Sequence, residues 1–274
     1  MHNQYNQNNN SEQERPYILV TNDDGIDSPG INALVHSMQK LGDVVVVAPD
    51  RQQSAVGHAL TVAKPLRITP FHRNGEMFGY AIDGTPADCV KLALSSILDR
   101  RPDIVVSGIN HGQNTSINIL YSGTVSAATE GMLLGIPSMA ISLASHDLNA
   151  DMSSAAKYSE IMAKKLLAME IPEGTLLNVN IPAIADDKIK GIKFTRQSGS
   201  IWKDSYEKRI DPFSREYYWF AGEYKVFEEG PEFDDTAVIK GFVSVTPIQY
   251  RLTNMEFLET LSSIEDEDVK IDRH

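Results

Sequence analysis

A chain of 274 residues, 42% hydrophobic and 23% charged, is long enough for one large domain, or one domain with a smaller appended piece, around a sizeable core. Its formal net charge of −12 argues against nucleic acid or a membrane surface as general partner, since both are anionic, and an anionic substrate would need local help from a metal or backbone N–H groups. The single cysteine, Cys89, excludes an intramolecular disulfide; with no run of 18 apolar residues and no basic or apolar signal region in Met1–Gln7, a soluble, cytoplasmic protein is expected.

Residues 1 to about 15 are polar, rich in Asn and Gln and without hydrophobic periodicity, and are expected to form a disordered, dispensable leader. An α/β body is expected over residues 16–185. Tyr17–Thr21 reads as a buried parallel strand running out at its carboxyl end into Asn22-Asp23-Asp24-Gly25. Ser28-Pro29-Gly30 opens a helix whose apolar residues Ile31, Leu34, Val35, Met38 and Leu41 keep the helical period, and Val44–Pro49 is a second buried strand. Residues 65–71 and 77–82 alternate as an antiparallel pair joined by Asn74-Gly75. Thr85 as N-cap and Pro86 at the first helical position start a helix through Leu98, and Ile104–Ser107 is the next strand, leading into a long polar loop. Ser122–Leu134 is a small-residue helix, Pro137–Leu143 a strand, residues 151–169 an amphipathic helix and Leu176–Asn180 a further strand. Such alternation is the signature of a doubly wound, largely parallel sheet. Residues 186–254 change to strand-like segments, including Lys193–Arg196, Tyr217–Phe220 and Val238–Val245, and their aromatics predict an oligomer. Residues 255–274 are expected to hold a short helix near 255–263 and a solubilising acidic tail, Glu265–Asp268.

Asp23 and Asp24 are the most informative pair in the chain. Adjacent like charges repel unless a cation lies between them, and hard Mg²⁺ or Mn²⁺ suits such oxygens; the alternative is a pair that caps the following helix. Parallel strands bring their carboxyl-end loops to one rim, so Ser54 of the segment Asp50–Ser54 and Asn110 of the segment Gly108–Asn114 can meet Asp23 and Asp24. Two carboxylates, a hydroxyl and a carboxamide would leave open positions on a cation, as catalysis needs. Tyr121-Ser122-Gly123-Thr124 opens a helix and offers either a phosphate site or an ordinary Ser cap, while Asn114 would reach phosphate or tie down its loop. There is no Walker loop, no zinc-type histidine cluster and no Gly-x-Ser-x-Gly elbow. His58 and His111 are expected in surface or loop-packing roles, and Glu130, on the helix after Ser122, would face either the site or solvent.

Taken in order, Val20–Gly25, Ala48–Gln52 with Ser54, Gly84–Val90, Ser107–Asn110 with Gly112 and Asn114, and Tyr121–Val125 resemble the SurE family, stationary-phase survival proteins that act as metal-dependent 5′-nucleotidases. Asn178–Pro182, Thr195–Gln197 and Val243–Pro247 extend the likeness to about residue 250. The resemblance implies a Rossmann-like body, a β-rich C-terminal extension swapped between subunits, a homodimer or homotetramer, and one divalent cation per subunit at Asp23, Asp24, Ser54 and Asn110. Its substrates would be nucleoside 5′-monophosphates, with 3′-monophosphates and short polyphosphate as further possibilities. Ser126 stands where family members commonly carry Gly or Ala, a small change expected to leave activity intact.

The expected reaction is metal-assisted attack of water on a phosphomonoester. Asn114, Ser122 and the N–H groups of Gly123 and Thr124 would cradle phosphate, and Asp23 would orient or deprotonate the water; an aspartyl-phosphate at Asp23 or Asp24 is the rival within the same chemistry. Two other classes fit the same residues. A nucleotide-sensing module would release no phosphate at saturating Mn²⁺, and a structural oligomer with a capping Asp pair would be indifferent to chelators.

Overall fold

The computed structural model describes residues 15–263; the polar leader up to residue 14 and the acidic tail lie outside the described residues. Among the described residues one sheet has nine strands in the order β3-β4-β2-β1-β5-β6-β7-β11-β8. In chain order its body comprises β1 (Tyr17–Thr21), α1 (Pro29–Met38), β2 (Asp43–Pro49), β3 (Ile68–Arg73), β4 (Glu76–Ile82), α2 (Pro86–Leu92), β5 (Ile104–His111), α3 (Gly123–Leu133), β6 (Ser138–Ala144), α4 (Ser153–Ala168) and β7 (Thr175–Pro182). The C-terminal part adds β8 (Ile192–Phe194), the separate antiparallel hairpin β9 (Ile201–Ile210) and β10 (Glu216–Lys225), α5 (Asp234–Ile239), β11 (Val243–Gln249) and α6 (Met255–Ser262).

Strands β4, β2, β1, β5, β6 and β7 run parallel to one another, which collects their carboxyl-end loops on one rim. The period of two in β1 sorts its side chains between two cores. Ile18 and Val20 join the layer of Ile31, Leu34, Met162 and Leu166 from α1 and α4, while Leu19 joins Cys89, Val90 and Ala127 from α2 and α3. All three β1 residues are fully buried, so truncating one would cost about 2–5 kcal/mol.

Three elements differ from the sequence reading. The helix begun at Pro86 is α-helical only to Leu92 and then widens into a π turn over Ala93–Ile97, closed by Leu98 N–H donating to Ala93 O at 3.0 Å. The wider turn brings Leu92, Leu94, Ile97 and Leu98 all onto the Cys89 side of the core. The run Val238–Val245 is not one strand: α5 ends at Ile239 and the chain turns at Gly241, φ +85°, where Phe242 N–H donates to Ala237 O and Gly241 N–H to Val238 O, and β11 begins only at Val243. This Schellman end uses the glycine to reverse the chain inside a run whose apolar composition suits either element. The strand expected at Lys193–Arg196 is Ile192–Phe194, with Arg196 instead bridging to Phe233.

Candidate active site

The loop after β1 is shaped by Asn22, fully buried, whose Nδ2 donates to Gly25 O at 2.9 Å and to Ser28 Oγ at 2.8 Å. Gly25 takes φ +94°, and a Cβ there would lie 3.1 Å from the Arg51 carbonyl carbon, so the first two loops touch as backbone on backbone. Gln53 N–H donates to Asp23 O at 2.7 Å, which fixes the Ser54 loop beside the aspartates. Ser28 caps α1, its Oγ accepting from Ile31 N–H at 3.4 Å, so neither Asp23 nor Asp24 is needed as a helix cap.

Asp23 is 6% exposed and its Oδ1 accepts a short hydrogen bond from the Thr124 hydroxyl. Burial raises its pKa to about 6; the Thr124 bond pulls it down and the Asp24 charge pushes it up. Asp24 Oδ2 accepts from His111 N–H at 3.2 Å, with His111 Nδ1 at 3.4 Å, and Oδ1 accepts from Gln52 Nε2 at 3.4 Å. No lysine or arginine pairs with either aspartate among the described residues.

One cavity of about 490 Å³ is lined by Asp23, Asp24, Ser54, Asn110, Asn114 and Ser122. Asn110 Nδ2 donates to Gly112 O at 2.7 Å, and among the described residues nothing donates to its side-chain oxygen or bonds to Ser54 Oγ. These oxygens, with two uncompensated carboxylates, have the hardness and low charge that suit a divalent cation with open positions. Among the described residues no three His, Cys, Asp or Glu gather as a metal cluster, so a cation here would rely on two carboxylates and neutral oxygens.

Of the four residues read as phosphate contacts, Asn114 and Ser122 line this cavity and Gly123 and Thr124 stand directly behind Asp23. Ser122 Oγ accepts from Val125 N–H at 3.1 Å as the N-cap of α3, which leaves its own proton to donate outward. Asn114 ties its loop down onto the sheet: its N–H donates to Asn180 Oδ1 of β7 at 2.7 Å and its Nδ2 to Ser142 Oγ of β6 at 2.9 Å. Ser126, 5% exposed, donates to Ser122 O at 2.7 Å within the helix. Glu130 faces away from the cavity, accepting from His58 Nε2 at 2.9 Å and Lys91 Nζ at 2.7 Å. Burial works to raise its pKa, but these two partners together hold it below the ordinary value.

The sequence profile described as Survival protein SurE matches residues 18–204. The chain belongs to the SurE family. It is 47% identical over 256 residues to the 5′-nucleotidase SurE of Christiangramia forsetii, covering 92% of this chain and 97% of the relative. It is also 47% identical over 252 residues to the protein of the same name from Chlorobium limicola, with the same coverage. The crystal structure of a SurE protein from Aquifex aeolicus superposes with a TM-score of 0.80 at 46% identity, over 92% of this chain and all of that one. In this SurE-family chain the cavity has further walls that sequence reasoning missed. His111 and Gln52 support Asp24, whereas Tyr121, Trp202 and Tyr224 form an aromatic side. No helix of the described residues is long and apolar enough to cross a membrane.

Proposed function

We propose that the chain is a phosphomonoesterase that hydrolyses nucleoside 5′-monophosphates to nucleoside and phosphate, with one divalent cation, Mg²⁺ or Mn²⁺, held by Asp23, Asp24, Ser54 and Asn110. The observation that carries this reading is the meeting of four hard oxygen groups and the N-terminus of α3 around one cavity, in a chain so similar to proteins named 5′-nucleotidases. A bound cation would supply charge neutralisation at a phosphoryl oxygen and a more acidic water.

The chain's own groups do the rest. Gly123 N–H, at the start of α3, has no intrahelical acceptor, so with the Ser122 hydroxyl and the positive helix end it offers a donor to phosphate oxygens, while Thr124 N–H is turned to the Asp23 carboxylate. Asn114 keeps one amide proton free beyond its bond to Ser142 and donates it to the same group. Asp23, held at Oδ1 by Thr124, is fixed in one rotamer and uses its other oxygen to orient the attacking water and receive its proton. Asp24, fixed by His111 and Gln52, keeps its charge beside it. A cytoplasmic location accords with the single free cysteine, Cys89.

The test is phosphate release from nucleoside 5′- and 3′-monophosphates and short polyphosphate with Mg²⁺, Mn²⁺ or EDTA. Release is expected to need the metal and to favour nucleotides. Asp24→Asn is expected to weaken metal binding and cut turnover by roughly 100-fold or more, the scale of losing a group that acts on the transition state. Unchanged turnover in that variant would overturn the site assignment.

A further inference from the structure

Hydrolysis of a nucleoside monophosphate expels ribose O5′ as an alkoxide, a poor leaving group unless it receives a proton as the P–O bond breaks. The aspartates, amides and hydroxyls of the cavity supply a base and phosphate donors but no acid. One further side chain of the wall can fill that role. His146, on the turn after β6, lines the same cavity as Asp23, Asp24, Asn110 and Asn114, and among the described residues no lysine or arginine does.

Gly112 seats the ring. It takes φ +99°, its carbonyl accepts from Asn110 Nδ2 at 2.7 Å, and its N–H donates to Leu143 O at 2.9 Å. A Cβ at this position would lie 2.6 Å from His146 Cε1 and 2.9 Å from its Nδ1, so the imidazole rests where a side chain would otherwise stand. One glycine therefore sets both the Asn110 carboxamide and the histidine. The turn itself is held locally: Ser145 N–H donates to Leu143 O at 2.7 Å, Asp147 N–H to Ser145 Oγ at 3.2 Å and Asn149 N–H to Asp147 Oδ1 at 2.9 Å. The ring, by contrast, has no hydrogen-bond or ionic partner among the described residues, and His146 is exposed, so a proton given up is replaced from solvent.

The other proton-bearing groups of the wall are committed or are weaker acids. His111 turns Nδ1 to Asp24 Oδ2 at 3.4 Å, and its Nε2 is buried and sealed from solvent. Tyr224 donates its hydroxyl proton to Asp235 Oδ2 at 3.0 Å, and burial raises its pKa. Tyr121 is a phenol, a far weaker acid than an imidazolium, and imidazole is the side chain that carries an exchangeable proton near neutral pH. We propose that His146 is the general acid of the reaction. The water oxygen bonds to phosphorus and its proton passes to Asp23, the P–O5′ bond breaks, and O5′ takes the imidazolium proton of His146. Nucleoside and phosphate leave, and Asp23 and His146 recover their starting states by exchange with solvent. The proposal rests on the nucleotidase reading above and deepens it.

The test varies the leaving group in the full chain with Mn²⁺, comparing AMP with p-nitrophenyl phosphate, whose nitrophenolate departs without a proton. His146→Ala is expected to lower kcat/KM for AMP about 10²- to 10⁴-fold, the range of general acid–base catalysis, and that for p-nitrophenyl phosphate at least about tenfold less. His146→Gln keeps a hydrogen-bond donor but has no proton to transfer, and is expected to match the Ala variant. Mn²⁺ affinity, read by calorimetry, is expected to stay at the wild-type value in both variants, because the ring is not a ligand. Equal losses on the two substrates, an unchanged rate with AMP, rescue by Gln, or a loss of Mn²⁺ affinity would each overturn the assignment. A wild type that releases no phosphate from AMP would instead overturn the nucleotidase reading, and this proposal with it.

Discussion

At the scale of single residues, the site is built by exclusion as much as by contact. A Cβ on Gly123 would lie 2.7 Å from Asp23 Cβ and 3.0 Å from Asp23 Oδ2, with Pro86 Cγ at 3.2 Å behind it. The glycine therefore lets α3 bring its first amides against the carboxylate, a closeness any side chain would forbid. Gly123→Ala is expected to displace Asp23, lowering kcat at least about tenfold, as a misplacement of catalytic groups by under an ångström does. Overpacking of this kind costs about 1–3 kcal/mol of stability, so the fold should survive with a lower thermal midpoint. Steady-state kinetics beside a thermal melt separates the two effects; an unaltered kcat would refute the argument. Asp23 and Asp24 were legible in the sequence because two acids at a strand end have few reasons to be neighbours. The supports of Asp24 were not: Gln52 and the ring of His111 carry no pattern until the rim brings them to it.

At the scale of elements, the capping box of α2 shows how one carboxylate can hold a helix and a loop together. Thr85 Oγ1 accepts from Asp88 N–H at 3.1 Å while Asp88 Oδ2 accepts from Thr85 N–H at 2.9 Å, and both Asp88 oxygens also accept from Thr61 N–H, at 3.1 and 3.2 Å. Burial works to raise the Asp88 pKa, but the donors at Thr61 and Thr85 together outweigh it and hold the value below normal. A lowered folded pKa means stability that is present in full above the unfolded value, about 3.9, and is lost as pH falls below it through the folded pKa. Asp88→Ala is therefore expected to cost about 1–3 kcal/mol at pH 7. The gap from wild type should narrow as the pH drops below about 4, where protonation removes the advantage of the charged carboxylate. Urea unfolding at pH 7 and at pH 3.5 measures this, and a gap that stays constant would contradict it. Thr85 and Pro86 announced this helix start, because capping chemistry is local. The π turn at Ala93–Ile97 and the split at Gly241 were not legible, since both depend on which core the neighbouring apolar residues reach. Likewise Trp202 joins the site from a strand 84 positions beyond Asn118, and no spacing rule links them.

At the scale of the whole molecule, the β9–β10 hairpin leaves one face uncovered by the rest of the chain. Directly opposed residues of an antiparallel pair share a face, so Trp202, Tyr206 and Ile210 on β9 lie on the same side as Tyr224, Phe220 and Tyr218 on β10. At its root this face meets the body through Trp202 and Tyr224. Farther out, Tyr206, Phe220, Tyr218 and Ile210 are 67%, 61%, 57% and 65% exposed, respectively. A lone two-stranded hairpin is marginally stable in water, and a face of four exposed large side chains, crossed by the Lys208–Glu216 ion pair, marks an interaction surface. A second copy of the chain, exchanging hairpins in a dimer or within a tetramer, would cover it and supply the missing layer. Sedimentation of the wild type at micromolar concentration is then expected to give a multiple of the monomer mass. Tyr206→Lys combined with Tyr218→Lys places two cations in the contact and should yield the monomer, with the hairpin newly open to protease. Both positions lie outside the lining of the carboxylate cavity, so residual phosphate release by that monomer would show whether the site is complete in one chain. A wild type that sediments as a monomer would refute the exchange, and the exposed aromatics would then need another partner.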